Sequence, residues 1–94
     1  MPTTFLSRFK VKPDKEAQFI GLIGQMEANA ADEPDTLAYK FYRLEEPHAF
    51  AVYESFTGPQ ADETHQANPA SAPIIAQMID CIDGTYTREY LYDV

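Results

Sequence analysis

Residues 4–11 (TFLSRFKV) alternate, with Phe5, Phe9 and Val11 on one side and Arg8 and Lys10 on the other, the two-residue period of a half-buried strand. Pro13 then suits a first helical position, Asp14 and Glu16 complement the positive end of a helix dipole, and Phe19, Ile23, Met26 and Ala30 recur at helical spacing. Asp14, Gln18, Gln25, Asn29 and Asp32 form the opposite, polar face. Gly21 and Gly24 inside this helix each cost about 1 kcal/mol relative to Ala, which leaves two readings, a close backbone approach or a weak helix. Glu33-Pro34-Asp35-Thr36 reads as a turn in which Asp35 tolerates a left-handed backbone.

Residues 37–44 follow as a strand, with Leu37, Tyr39 and Phe41 on one face and Ala38, Tyr42 and Leu44 on the other. Glu46-Pro47-His48 is a short hairpin connection to a third strand over residues 49–57, which carries Phe50, Val52, Glu54 and Phe56 on one side. Gly58-Pro59 opens a short helix through Asn68, and Pro69 and Pro73 mark a break. A second helix then carries Ile74, Ile75, Met78, Ile79 and Ile82 as a broad apolar stripe and stops near Asp83-Gly84. The closing TYTREYLYDV puts Tyr86, Tyr90, Tyr92 and Val94 on one face of a last strand.

The order β-α-β-β-α-β predicts an α+β, ferredoxin-like domain, with helices on one face of a four-stranded antiparallel sheet. The other face would be open, yet strand two is apolar on both sides and the last strand adds tyrosines, so a covering surface is expected there. With no residues left to provide it, a second copy of the chain docked through a two-fold axis is the economical answer, and a homodimer is predicted.

Ninety-four residues bound this to a single domain over residues 1–94. The 45% apolar fraction excludes a disordered chain. A net charge of −8 with seven scattered Lys and Arg residues leaves no cationic stripe, so neither nucleic acid nor an anionic membrane is an expected partner. Cys81, the single cysteine, sits among isoleucines and reads as core packing. The N-terminus has neither a basic start nor a long apolar run, which makes the cytoplasm the expected location.

Several local signatures, in order and spacing over about 55 residues, resemble the antibiotic biosynthesis monooxygenase family. They are Val11-Lys12-Pro13 before the first helix, Glu33-Pro34-Asp35-Thr36-Leu37-Ala38-Tyr39 into strand two, Pro47-His48-Ala49-Phe50-Ala51-Val52-Tyr53-Glu54 through strand three, and then Ala61 and His65. The resemblance implies a dimeric α+β barrel and, for some members, oxygenase chemistry without metal, flavin or haem. Asp35 stands where the family often has glycine, Phe56 where tryptophan is common, Asn68 where serine is common, and about Ala70 where a second histidine is frequent. Haem-degrading relatives use a tryptophan, a strand-one asparagine and a histidine ligand. This chain has no tryptophan and offers Ser7 and Arg8 on strand one, which makes haem degradation a minor alternative.

His65 is the candidate acid or base, because imidazole is the side chain whose ordinary pKa lies nearest neutrality. Ala61, His65 and Asn68 fall at i, i+4 and i+7 and share a helix face. Glu54 interrupts the apolar row of strand three, and a carboxylate facing a helix-covered layer needs a partner, with His65 and Arg8 as the candidates. The functional reading is a Glu54–His65 catalytic pair in which the carboxylate orients the imidazole; the alternative is a bond that only ties strand to helix. Tyr42 and Asn68 are candidates to hydrogen-bond a substrate, and Phe41, Phe50, Phe56 and Met78 to wall its ring, although such side chains also build ordinary cores. His48 reads as a solvent-facing turn residue, and the histidines and cysteine show no metal-ligand spacing.

The leading expectation is a cofactor-independent monooxygenase acting on a small aromatic or quinol-like ligand. Its alternatives are an isomerase or other proton-moving enzyme on a small carbonyl compound, and a non-catalytic dimeric module that binds a small ligand.

Overall fold

The computed structural model describes residues 2–94. Strand β1 (Thr3–Lys10) leads through a 3-10 turn at Pro13–Lys15 into helix α1 (Glu16–Ala31), and β2 (Thr36–Arg43) and β3 (Ala49–Phe56) follow as a hairpin. Two short helices, α2 (Pro59–Ala67) and α3 (Ala72–Cys81), precede β4 (Thr87–Tyr90). The expected β-α-β-β-α-β order holds, with the second helical segment in two pieces, and the sheet runs β2-β3-β1-β4 with every neighbour antiparallel.

Register decides which side chains meet. Phe9 lies opposite Phe50, Ser7 opposite Val52 and Phe5 opposite Glu54, and Tyr39 and Phe41 of β2 face Glu54 and Val52. Because successive strand side chains alternate faces, these residues share the side that the helices cover. Phe19, Leu22 and Met26 of α1 pack onto Phe9, Phe50 and Val52. Met78 and Cys81 of α3 close the same core, and the Cys81 thiol is free and buried there. Leu22, not singled out by the spacing above, is one of the α1 residues most deeply seated.

Four features depart from the sequence expectation. Strand β4 is short, and Tyr90 lies opposite Phe5 with its ring against it at 5.5 Å, so this tyrosine belongs to the helix-side face and not to the open one. Tyr92 lies beyond the strand in solvent. The left-handed backbone falls on His48 (φ 63°), not on Asp35, because the β2–β3 connection makes the tight reversal. A bulge at the start of β2, where Thr36 faces Phe56 and Ala38 faces Ser55, leaves Leu37 exposed and not packed beside Tyr39 and Phe41.

Of the two readings for the α1 glycines, the structure excludes close approach, since a Cβ at Gly21 or Gly24 would meet nothing within 4 Å. Small residues, Ala51 and Ser55, occupy the middle of the open sheet face on β3, and by strand alternation Leu6, Tyr42 and Tyr53 share that face. Arg8–Glu89 and Lys10–Glu46 ion pairs edge it. Among the described residues no helix is long and apolar enough to cross a membrane.

Candidate functional site

Pro59 starts α2 just after the extended Gly58, and one turn and a half later the helix turns His65 onto the sheet. The imidazole is 3% exposed and lies between the rings of Tyr39 and Phe56, with centroids 4.9 and 5.4 Å away. Its Nδ1 is 2.7 Å from Glu33 Oε1, whereas its Nε2 is 3.9 Å from Glu54 Oε1, too long for a hydrogen bond. The orienting carboxylate is therefore Glu33, a turn residue, and not Glu54 as the strand pattern suggested.

Glu33 is held by everything around it. Its backbone N–H donates to Ala30 O, Thr36 Oγ1 donates to its Oε1 at 2.8 Å, and Asn68 Nδ2 donates to its Oε2 at 2.8 Å. Burial alone would push this carboxyl up, but the hydrogen bonds from Asn68, His65 and Thr36 outweigh it and hold Glu33 below the usual carboxylate range. With Glu33 ionised, Nδ1 is the nitrogen that donates to it, and the tautomer this selects has its lone pair on Nε2, on the cavity side.

Glu54 meets the opposite environment. It is 8% exposed on the central strand, and burial pushes its carboxyl up to about 8. Arg88 opposes that rise, while the charges of Asp62 and Glu33 add to it. The compensating cation is Arg88 of β4 and not Arg8, which lies on the open face paired with Glu89. Arg88 sits 3.7 Å over the Phe5 ring, and its Nη1 donates to Asp62 Oδ2 at 2.9 Å and to the Tyr90 hydroxyl at 3.3 Å. Burial also drives the Tyr39 phenol well above its ordinary value, so that hydroxyl stays protonated.

These groups border a cavity of about 150 Å³ between sheet and helices. Ser7, Glu54, His65 and Arg88 give it one polar side, Phe19, Phe41, Ile75 and Met78 give it an apolar roof and wall, and Tyr39, Gln66 and Tyr86 also line it. Among the described residues neither the Ser7 hydroxyl nor the Glu54 carboxyl has a hydrogen-bond partner in the protein, and no fully enclosed polar side-chain atom lacks one, so both open on the cavity. No three His, Cys, Asp or Glu side chains among the described residues gather as a metal site.

Of the residues singled out by sequence, His65, Glu54, Phe41 and Met78 meet at the cavity. Tyr42 does not: it lies opposite Ala51 on the other face of the sheet and is 52% exposed. Asn68 spends its amide on Glu33 and its carbonyl on the Ala70 N–H, so it braces Glu33 from behind and does not line the cavity. Phe50 stacks with Phe9 and Phe19 in the core, and Phe56 packs behind His65 against Phe5. Glu33, Ser7 and Arg88 were missed as site residues. The capping-like Glu33-x-x-Thr36 spacing and the isolated Ser7 in an apolar row were the available signals.

Comparison with known proteins bears on the fold and the family. The family model described as antibiotic biosynthesis monooxygenase matches residues 3–77. A structure from Caulobacter crescentus is 26% identical, with a TM-score of 0.89 over 99% of this chain and 90% of that one. One from Mycobacterium tuberculosis is 18% identical, with a TM-score of 0.88 over 100% and 96% of the two chains. A cofactor-independent oxygenase from Streptomyces nogalater, 18% identical, gives 0.80 over 98% and 92%. None of the curated proteins compared matches the chain. With the family model spanning most of its length and the same fold recurring in these structures, the chain belongs to the antibiotic biosynthesis monooxygenase family.

Proposed function

We propose that the protein is a cofactor-independent monooxygenase for a small phenol or quinol, with His65 as general base. The observation that carries this reading is the 2.7 Å bond from His65 Nδ1 to Glu33, which leaves Nε2 aimed into a largely apolar cavity. His65 Nε2 takes the phenolic proton, and the ionised Glu33 stabilises the imidazolium that results. Glu54, kept neutral by burial, donates a hydrogen bond to the developing phenolate, as a protonated carboxylic acid in an apolar site is able to do. This reverses the role expected of Glu54 from the sequence.

The phenolate is rich enough in electrons to reduce dioxygen directly. A carbon–oxygen bond forms at the ring, the O–O bond then breaks with loss of water, and the ring leaves as a quinone. One atom of dioxygen enters the product, the other leaves as water, and no external reductant is required. Excluding water protects the anion, and the roof of Phe19, Phe41 and Met78 serves that end.

The proposal includes a homodimer through the open sheet face, where apolar Leu6, Tyr42 and Tyr53 surround small residues and a two-fold partner would cover them. Light scattering at twice the chain mass is the expected result. Oxygen uptake with a panel of phenols and quinols tests the chemistry: turnover should stop under anaerobic conditions and in His65→Ala. Product formed at full rate without oxygen would assign the same base to an isomerase, and full activity in His65→Ala would reject it as the base.

A further inference from the structure

The polar atoms of the cavity are unevenly distributed. Ser7 and Glu54 are diagonal neighbours on one sheet face, because Ser7 pairs with Val52 and Phe5 with Glu54, which sets their Cα atoms about 7–8 Å apart. Both residues are more than nine-tenths buried, at 4% and 8% exposed, and both present unpartnered polar groups to the same space. His65 Nε2 joins them from above Glu54 at 3.9 Å. Across the cavity, α1 and α3 supply Phe19, Ile75, Met78 and Ile79, whose side chains carry no hydrogen-bonding oxygen or nitrogen, while Tyr39, Gln66 and Tyr86 complete the lining from other segments.

Resting on the phenol-oxidising reading above, we infer that the cavity selects a single-ring compound bearing oxygen substituents on two adjacent carbons. Ser7 is its specificity-determining residue. One oxygen sits between His65 Nε2 and the Glu54 carboxyl, and its neighbour takes the Ser7 hydroxyl. A cavity of about 150 Å³ is of the size that holds one benzene ring. In the 1,4-isomer, an oxygen placed between His65 and Glu54 sends the other across the ring toward Phe19 and Met78, whose side chains offer it no hydrogen bond in exchange for water. The adjacent arrangement keeps both oxygens on the polar side and the four remaining ring carbons under the roof. Arg88, beside Ser7 in the β1–β4 ladder, lends positive charge to the anion formed there.

Anaerobic calorimetry with catechol, resorcinol and hydroquinone tests this without any chemistry taking place. Catechol should bind about tenfold more tightly than hydroquinone, the worth of one well-made hydrogen bond. Ser7→Ala should bring the isomers to within about threefold of one another while the melting temperature holds. Equal affinity for the three isomers, no binding of any, or a catechol preference unchanged in a folded Ser7→Ala chain would overturn the inference. The isomer comparison on the unaltered protein needs no variant, so it stands even where Ser7→Ala fails to fold. Catechol bound selectively but never oxidised in air supports this selectivity and sinks the oxygenase reading; larger quinols oxidised while the isomers bind alike does the reverse.

Discussion

The chain carries two histidine–glutamate pairs that look alike on paper and behave as opposites. In each, Nδ1 lies on a carboxylate 32 residues earlier, at 2.7 Å for His65 and Glu33 and 2.9 Å for His48 and Glu16. His48 stands at the hairpin tip, its side chain 41% exposed, and its carboxylate is shared with Arg43. The His48 hydrogen bond holds Glu16 below its ordinary range against the opposing effect of burial, with Arg43 adding to the lowering, and water screens the rest. His65 is enclosed, its carboxylate has two further donors, and its free nitrogen faces a cavity. A histidine–carboxylate bond is therefore no sign of function by itself; enclosure and an open second nitrogen set the His65 pair apart from the surface clasp at His48.

The sharpest break in the comparison is removal of each ring. His65→Ala should lower kcat by about 10²–10⁴, the usual contribution of a general base, while His48→Ala should leave kcat within about twofold. Steady-state oxygen uptake checks both. Next comes the carboxylate. Glu33→Ala strips Asn68, Thr36 and His65 of their shared acceptor and should cost on the order of 1–3 kcal/mol in denaturant unfolding, whereas Glu16→Ala should fall within the small range of surface pairs. Glu33→Gln, which keeps the shape but not the charge, should depress kcat more than it lowers the melting temperature.

A pH scan probes the enclosure directly. The Glu54 carboxyl is raised from an ordinary value near 4.5 to about 8 in the folded protein, so the folded state binds more protons than the unfolded one between those limits. Its contribution is complete below about 4.5 and is lost as pH rises through about 8, a decline on the order of a few kcal/mol. Glu54→Gln should flatten that alkaline decline in both stability and turnover while keeping a hydrogen-bond donor in place. An unchanged profile would remove Glu54 from its assigned role.

The smallest expected effect belongs to the exposed pair. Because His48 holds φ at 63°, His48→Gly should relieve a strained backbone and cost or gain no more than about 1 kcal/mol, even with its bond to Glu16 gone. The same substitution at His65 should destabilise the fold, since it empties a packed and hydrogen-bonded position between Tyr39 and Phe56.

Local pattern made much of this legible. Strand alternation in TFLSRFKV and AFAVYESF predicted the two central strands, and the single carboxylate in the second of them pointed to Glu54. His65 stood out by residue type. Tyr42 shows where that reasoning fails, since alternation put it on one of two apolar faces without saying which of them the helices cover. The tyrosines of the last strand expected from the sequence were assigned to the open face for the same reason, and the pairing of Tyr90 with Phe5 corrected it for that residue.

What the sequence by itself determined is the order of elements, the amphipathic faces and the presence of a buried acid and an imidazole, because period and residue type are local properties. The tertiary structure alone decided that Glu33 grips His65 across 32 residues, that Arg88 and not Arg8 faces Glu54, and that Ser7 opens on the cavity. Each of these depends on strand register and on the seating of α2 over the sheet, and those are set by packing the whole core at once.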